Sequence, residues 1–348
     1  MSGSGPVELA TRALEAAEAE RVLVALPPEP GLQELWSESV PDARYVHLDY
    51  AVFRKDRELL RRASDSAEEL VFFGTGALKE GRFPLGVLFA PKEKALTEYM
   101  LDWLRDRVEP SGHLLVAGEN RAGIRSVKAI LEEGFGPVVG HRSGRHSVLW
   151  DAERSPGVGG SRSFRREFAV DAAGMTFRVV SYPGVFSHGE LDPGTKFLLE
   201  ALDQPRFRRA LDWGCGSGAI GTYLQLLRPE SSVDLVDSNA MALQSAEETM
   251  GLNGFAPGRI AATDGFSDVR GTFDLIVSNP PFHAGVRTQL SVTERMIRES
   301  GRFLVPGGRL VLVANAFLPY PNVLRETFSE VRVLAENPSY RVLEAKND

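Results

Sequence analysis

Cysteine is nearly missing from this chain: among 348 residues only Cys215 occurs. No disulfide framework can form within it, which suits a reducing compartment. Six histidines and that one cysteine show no metal-ligand spacing, so no metal is implied. No uninterrupted apolar run is long enough to span a bilayer, so no membrane is expected. Met1 to Glu20 lacks the basic-then-apolar order of a signal peptide, and the expected location is cytoplasmic. Positive charge is in deficit as well. A net charge of −7 argues against a protein that coats nucleic acid indiscriminately. A local basic stretch remains between His141 and Arg166, with Arg142, Arg145, Arg154, Arg162, Arg165 and Arg166. It reads equally as a docking strip or as a solvated linker.

What is present is the pattern of an α/β protein. The length suggests about two domains and is ample for a core without covalent staples. Continuous apolar runs such as Val22–Leu26, Gly86–Phe89 and Leu114–Ala117 predict buried parallel strands. So do Ala210–Trp213, Val233–Val236, Leu275–Ser278 and Leu310–Ala314. Helical patterns lie between them. Ser155 to Ser161 is rich in Ser, Pro and Gly and predicts a boundary. The expected division is residues 1–154, a linker at 155–163, and residues 164–348.

The two halves align with each other. Leu23–Gly31 matches Ala210–Gly218 at an offset near 187, and Asp49 matches Asp237 at 188. Ala90-Pro91 matches Asn279-Pro280 at 189, and Pro110–Leu114 matches Pro306–Leu310 at 196. Such steady offsets predict a duplicated domain, each copy an open, mostly parallel sheet covered on both faces by helices. The copies differ chemically. The first has Pro27, Pro28 and Pro30 where the second has glycines, and Ala90 where the second has Asn279. Proline offers no N–H and keeps a ligand off the backbone. The first copy is therefore expected to bind no cofactor and to serve recognition or folding.

Chemistry concentrates in the second half. In Leu211-Asp212-Trp213-Gly214-Cys215-Gly216-Ser217-Gly218 an apolar strand runs into a glycine turn before a helix. Gly214, Gly216 and Gly218 let backbone and ligand approach closely. The helix N-terminus favours a carboxylate. Asp212 suits an ammonium group and would repel a pyrophosphate. Asp237, about 20 residues past the turn, is placed to accept ribose hydroxyls. Asp264 ends the next strand and is placed to accept from an adenine amine, with Gly265 or Phe266 against the ring. The turn is not a Walker A loop, since no Lys-Ser/Thr follows, and its spacing differs from G-x-G-x-x-G. An amino-acid head, a ribose and an adenine together describe S-adenosylmethionine. Cys215 is read as a small residue of the turn.

The second motif is Asn279-Pro280-Pro281-Phe282, directly after an apolar strand. An amine on an aromatic ring is a poor nucleophile because its lone pair is delocalised. The Asn279 side-chain oxygen and the Pro280 carbonyl are placed to hold both N–H groups and turn the lone pair toward a methyl donor. Phe282 is placed to stack on the base, a contact worth about 1–3 kcal/mol. His283 beside it is read first as structural, and no strong base is required. Pro183–Lys196 predicts an ordered loop leading into a helix. It reads equally as a cofactor cover or as an ordinary connection.

These residues resemble the ribosomal RNA small-subunit methyltransferase C family. The similarity extends to PGVFSHGELDPGTKFLLEAL (Pro183–Leu202), VSNPPFHAG (Val277–Gly285), VANAFLPYPNVLRETF (Val313–Phe328) and, in the first half, VAGENRAGIRS (Val116–Ser126). The resemblance implies two tandem Rossmann-like methyltransferase domains, the N-terminal one degenerate. It implies methylation of guanine N2 in 16S rRNA of the 30S subunit. By motif position it assigns Asp212, Gly214, Gly216, Asp237 and Asp264 to S-adenosylmethionine, and Asn279, Pro280 and Phe282 to the target base. The base must be unpaired or flipped to be reached. Two alternatives stay open: a related amine acceptor (adenine N6 in DNA, or a release-factor glutamine), and a non-catalytic RNA-binding assembly factor.

Overall fold

The computed structural model describes residues 4–63, 67–79, 81–159, 162–202, 204–280 and 287–348. The chain forms two compact units, Met1–Phe164 and Arg165–Asp348. The stretch expected to be linker belongs to the first unit. There the Arg105 guanidinium donates to the Val158 carbonyl at 2.9 Å, and Arg162 pairs with Glu133 at 2.5 Å.

In the first unit the strands are β1 (Arg21–Ala25), β2 (Asp42–His47), β3 (Val71–Phe73), β4 (Phe83–Phe89), β5 (Val108–Glu119), β6 (Val138–Gly144) and β7 (Ser147–Glu153). Their order is β3-β2-β1-β4-β5-β7-β6. Helices α1 (Gly5–Ala17), α2 (Leu32–Trp36), α3 (Tyr50–Ala63), α4 (Ala67–Leu70), α5 (Lys94–Arg105) and α6 (Ile124–Gly134) join them.

The second unit opens with an antiparallel hairpin, β8 (Arg166–Ala172) and β9 (Met175–Ser181), followed by α7 (Pro193–Ala201). Its sheet is built from β10 (Arg209–Trp213), β11 (Ser232–Asp237), β12 (Arg259–Ala262), β13 (Phe273–Ser278), β14 (Leu304–Asn315), β15 (Glu330–Glu336) and β16 (Tyr340–Lys346). Helices α8 (Ala219–Leu227), α9 (Ala240–Leu252), α10 (Arg287–Ser300) and α11 (Tyr320–Thr327) complete it. The order is β12-β11-β10-β13-β14-β16-β15. That is the order of the first sheet, strand for strand, as duplication requires.

In each sheet the first five strands are parallel, and the last two pairings, to β7 and β6 or to β16 and β15, are antiparallel. The inner strands carry Val, Leu and Ile on both faces because helices cover both. Ala210, Leu275 and Val277 pack into one core layer, and Leu211, Trp213 and Ile276 into the other. The chain leaves β10 toward β11 on one side and later returns to β13 on the other. The gap between β10 and β13 is thus the topological switch point, where open α/β sheets bind ligands at the strands' carboxyl ends.

The registers correct three sequence correspondences. Leu26 N–H donates to the Val46 carbonyl as Gly214 N–H donates to Val236, both at 2.9 Å. Val46 therefore matches Val236, and His47, not Asp49, stands at the place of Asp237. Asp49 matches Asn239 instead: each side chain accepts from a backbone N–H at the start of the next helix. Val22 pairs with Leu85 as Ala210 pairs with Leu275. Counting on along the strands, Val24 matches Asp212 and Phe89, not Ala90, matches Asn279. An unbroken apolar run carries no mark of which residue faces which way, so a shift by one goes unseen in the sequence.

Candidate methyl-donor and amine site

Asp212 lies near the end of β10 and is completely buried. Its Oδ2 accepts from Gly221 N–H at 2.8 Å, while Oδ1 is buried and meets no donor among the described residues. Burial pushes this carboxyl up to about 7; the Gly221 N–H lowers it, and the nearby Asp237 charge adds to the rise. A carboxylate left half-satisfied in the interior is costly in isolation. An ammonium group would satisfy it.

The three glycines of the turn all have positive φ, +71° at Gly214, +52° at Gly216 and +79° at Gly218, but for different reasons. A Cβ on Gly214 or Gly216 would meet no described atom within 4 Å, so these two border open space. A Cβ on Gly218 would lie 2.8 Å from Ala246 Cα, so that glycine lets α8 pack on α9. No side chain among the described residues caps α8, which leaves its N-terminus available to an anionic group. Asp237, at the end of β11, accepts from Gly216 N–H and Asn239 N–H, each at 2.9 Å, and so ties the turn to the next strand.

Beyond β12, Trp213 Nε1 donates to the Gly265 carbonyl at 3.0 Å and fixes the Thr263–Gly265 turn. Asp264 Oδ1 is paired with Arg295 at 2.9 Å. Phe266 does not present a face to a ligand. It is buried against Phe303, with ring centroids 4.5 Å apart, and packs with Trp213 in the core. Gly265 alone of that pair remains beside the proposed adenine position. Burial raises the Cys215 thiol well above its usual range, with Asp237 and Asp212 adding to it, as befits an inert packing residue.

Asn279 follows β13, two residues beyond Val277, which pairs with Asp212. Its side chain therefore rises on the same sheet face as Asp212, about 7 Å farther along the strand direction. Its Nδ2 donates to Asp192 Oδ2 at 2.9 Å and to Thr195 Oγ1 at 2.7 Å. Its Oδ1 is buried and meets no donor among the described residues. Pro280 is buried next to it. Ser278 Oγ donates to the Trp213 carbonyl at 2.8 Å and pins the strand end to β10. Phe282 and His283 lie outside the described residues.

Asp192 and Thr195 were not singled out by the sequence. Asp192 is the N-cap of α7 and accepts from Thr195 N–H at 2.8 Å. The Asp-Pro-Gly-Thr string signals such a cap, but nothing local says that it faces a strand end 87 residues away. The loop before it is anchored too: Asn239 Nδ2 donates to the Gly184 carbonyl at 2.6 Å, and Ser181 Oγ lies 3.0 Å from His188 Nδ1. Lys196 pairs only loosely with Glu200, at 4.0 Å.

The first copy shows the same frame with different side chains at the corresponding positions. Val24, His47 and Phe89, all buried, take the places of Asp212, Asp237 and Asn279. Asp56, fully buried on α3, accepts from Gly31 N–H at 2.7 Å and from Gln33 Nε2 at 3.0 Å. The chain's own carboxylate thus sits at the start of α2. His47 Nε2 lies 3.1 Å from Asp56 Oδ2 without hydrogen-bond geometry.

The basic stretch is largely spoken for inside each unit. Arg145 pairs with Glu8 at 2.9 Å, Arg162 with Glu133, and Arg165 with Glu248 at 2.9 Å, while Arg154 donates to the Val108 carbonyl. No helix among the described residues is long and apolar enough to cross a membrane, and none of their His, Cys, Asp and Glu groups could hold a metal ion.

Residues 176–344 match the methyltransferase small domain, and residues 8–158 match the methyltransferase small domain N-terminal family. The ribosomal RNA small subunit methyltransferase C of Aliivibrio salmonicida is 34% identical over 350 residues, covering 99% of this chain and 100% of the relative. Its namesake in Pseudomonas aeruginosa is 37% identical over 268 residues, covering 76% and 80%. Among solved structures, the T. thermophilus 16S rRNA N2 G1207 methyltransferase in complex with AdoMet and guanosine is 25% identical. Its TM-score is 0.82, and the match covers 99% of this chain and 92% of that one.

Proposed function

The chain belongs to the ribosomal RNA small subunit methyltransferase C family, and we propose that it methylates the exocyclic N2 amine of a guanine in 16S rRNA, using S-adenosylmethionine. The observation that carries this reading is a pair of buried acceptors with no donor among the described residues, Asp212 Oδ1 and Asn279 Oδ1, on one sheet face at the switch point. One calls for a cationic amino-acid head, the other for an N–H donor.

The donor, when bound, supplies an electrophilic methyl group on a sulfonium. Asp212 holds its ammonium, and the uncapped start of α8 faces its carboxylate. Gly214 and Gly216 clear the space beside it, Asp237 takes the ribose, and Asp264 and Gly265 take the adenine end. Asn279 Oδ1 and the Pro280 carbonyl accept the two N–H bonds of the target amine. This orients the lone pair and stabilises the positive charge that develops on nitrogen. The methylated amine is then acidic enough to release its proton to water. Phe282 is assigned to the face of the base. The 30S subunit is proposed as the physiological substrate, the cytoplasm as the location, and the first copy as a non-catalytic partner domain within 1–154.

Tritiated-methyl transfer tests this. 30S subunits, naked 16S rRNA, DNA and a release factor are offered in parallel, and the product nucleoside is identified. N2-methylguanosine from the ribosomal substrates is expected. Label in DNA or release factor alone would move the assignment to a related acceptor. No label anywhere, with no donor binding, would leave a non-catalytic assembly factor.

A further inference from the structure

We infer that Asp192 and Thr195 are positioning residues that lock the Asn279 amide with its oxygen outward, so that the site selects an N–H donor; this rests on the amine-methylating reading above. An asparagine side chain can turn about its last bond and exchange a donor for an acceptor. Here it cannot do so without loss. Asp192 Oδ2 only accepts, and it takes one Nδ2 hydrogen at 2.9 Å. Thr195 Oγ1 takes the other at 2.7 Å. Both amide hydrogens are used, and Oδ1 must face away from them. That oxygen is shielded from solvent and has no donor among the described residues. A turned amide would set Oδ1 against the Asp192 carboxylate and present N–H groups to the substrate. The lock therefore admits an amine and rejects a carbonyl edge at the same place. The Asp192 charge also polarises the amide and strengthens Oδ1 as an acceptor just when positive charge appears on the amine.

The device is the α7 cap used twice. Asp192 Oδ2 accepts from Thr195 N–H as well as from Asn279. Gly194 is needed between them: a Cβ there would lie 3.0 Å from Asp192 Oδ2 and 3.1 Å from Tyr340 Cε1. Four residues, Asp-Pro-Gly-Thr, thus start a helix and aim a side chain from a distant strand.

Thr195→Val removes one acceptor, keeps the shape and leaves the Asp192 cap in place. Thr195→Ser keeps the acceptor. For each, kcat and KM for the ribosomal substrate, the donor dissociation constant and Tm are measured. Thr195→Val should lower kcat about ten- to hundredfold, with donor affinity and Tm unchanged, and Thr195→Ser should restore it. Asp192→Asn, which retains the cap but can present either amide end, should lower kcat likewise and serves if the valine variant does not fold. A kcat within twofold of wild type in both variants would overturn the lock. So would parallel losses of donor affinity and Tm, which mark a merely structural role. Wild-type protein inert on every amine substrate would instead overturn the proposed activity, and the lock with it.

Discussion

Replacing Asp212 by asparagine should make the ligand-free protein more stable and nearly abolish its grip on the donor. The carboxyl is fully buried, and burial holds it at about 7, against about 3.9 in an unfolded chain. Between those values the unfolded state ionises while the folded state keeps its proton, so stability falls as pH rises. At about 1.4 kcal/mol per pH unit, the burden on the folded state is about 1–2 kcal/mol at pH 5 and rises to about 4 kcal/mol at pH 8. Asparagine has the same shape, still accepts from Gly221 N–H and carries no charge. The variant's advantage over wild type in urea denaturation should therefore grow by about 2–3 kcal/mol from pH 5 to pH 8. Taking the difference between the two proteins cancels the titrating groups that do not interact with Asp212. Calorimetry should show donor affinity about a hundredfold weaker in the variant, from loss of a charge-assisted pair. Wild-type affinity should drop about tenfold per unit as pH falls below 7, because the ammonium needs the ionised carboxylate. An advantage equal at both pH values, or unchanged donor affinity, would refute the assignment of Asp212.

The glycines should separate by cause. Gly218→Ala drives a Cβ into Ala246 and should cost about 2 kcal/mol or more of stability, read as a fall in the urea midpoint. Gly216→Ala meets no described neighbour and should cost about 1 kcal/mol from its positive φ while weakening donor binding more than tenfold by calorimetry. In the first copy, Asp56→Ala strips the acceptor from Gly31 N–H and Gln33. It should lower stability by about 2–3 kcal/mol, and donor binding should stay at one molecule per chain. Asn279→Ala should cut methyl transfer about a hundred- to thousandfold and leave the donor dissociation constant within twofold.

Much of the architecture was legible because buried parallel strands announce themselves as apolar runs, and because the glycine turn and the Asn-Pro pair follow two of them directly. The identical strand orders were foreshadowed by the near-constant offsets between halves. The alignment slipped where side-chain direction mattered. Leu-Val-Ala-Leu has no polar residue to mark a face, and the proline-rich loop after β1 is one residue longer than its glycine counterpart. Only the strand registers set Val24 and Phe89 opposite Asp212 and Asn279. Phe266 looked available as an aromatic beside an acid, yet Trp213 and Phe303 draw it into the core. The arginines between 141 and 166 read equally as a docking strip or a solvated linker because the partners of three of them, Glu8, Glu133 and Glu248, are remote in sequence. The Asp192–Asn279 contact was hidden for the same reason.

The most direct test is a crystal structure with S-adenosylmethionine or its demethylated product, together with guanosine. Asn279 Oδ1 should lie about 2.7–3.2 Å from the guanine N2, with its Nδ2 still on Asp192 and Thr195 and the donor's ammonium on Asp212 Oδ1. A guanine bound elsewhere, or an Asn279 amide turned to donate to it, would contradict the account.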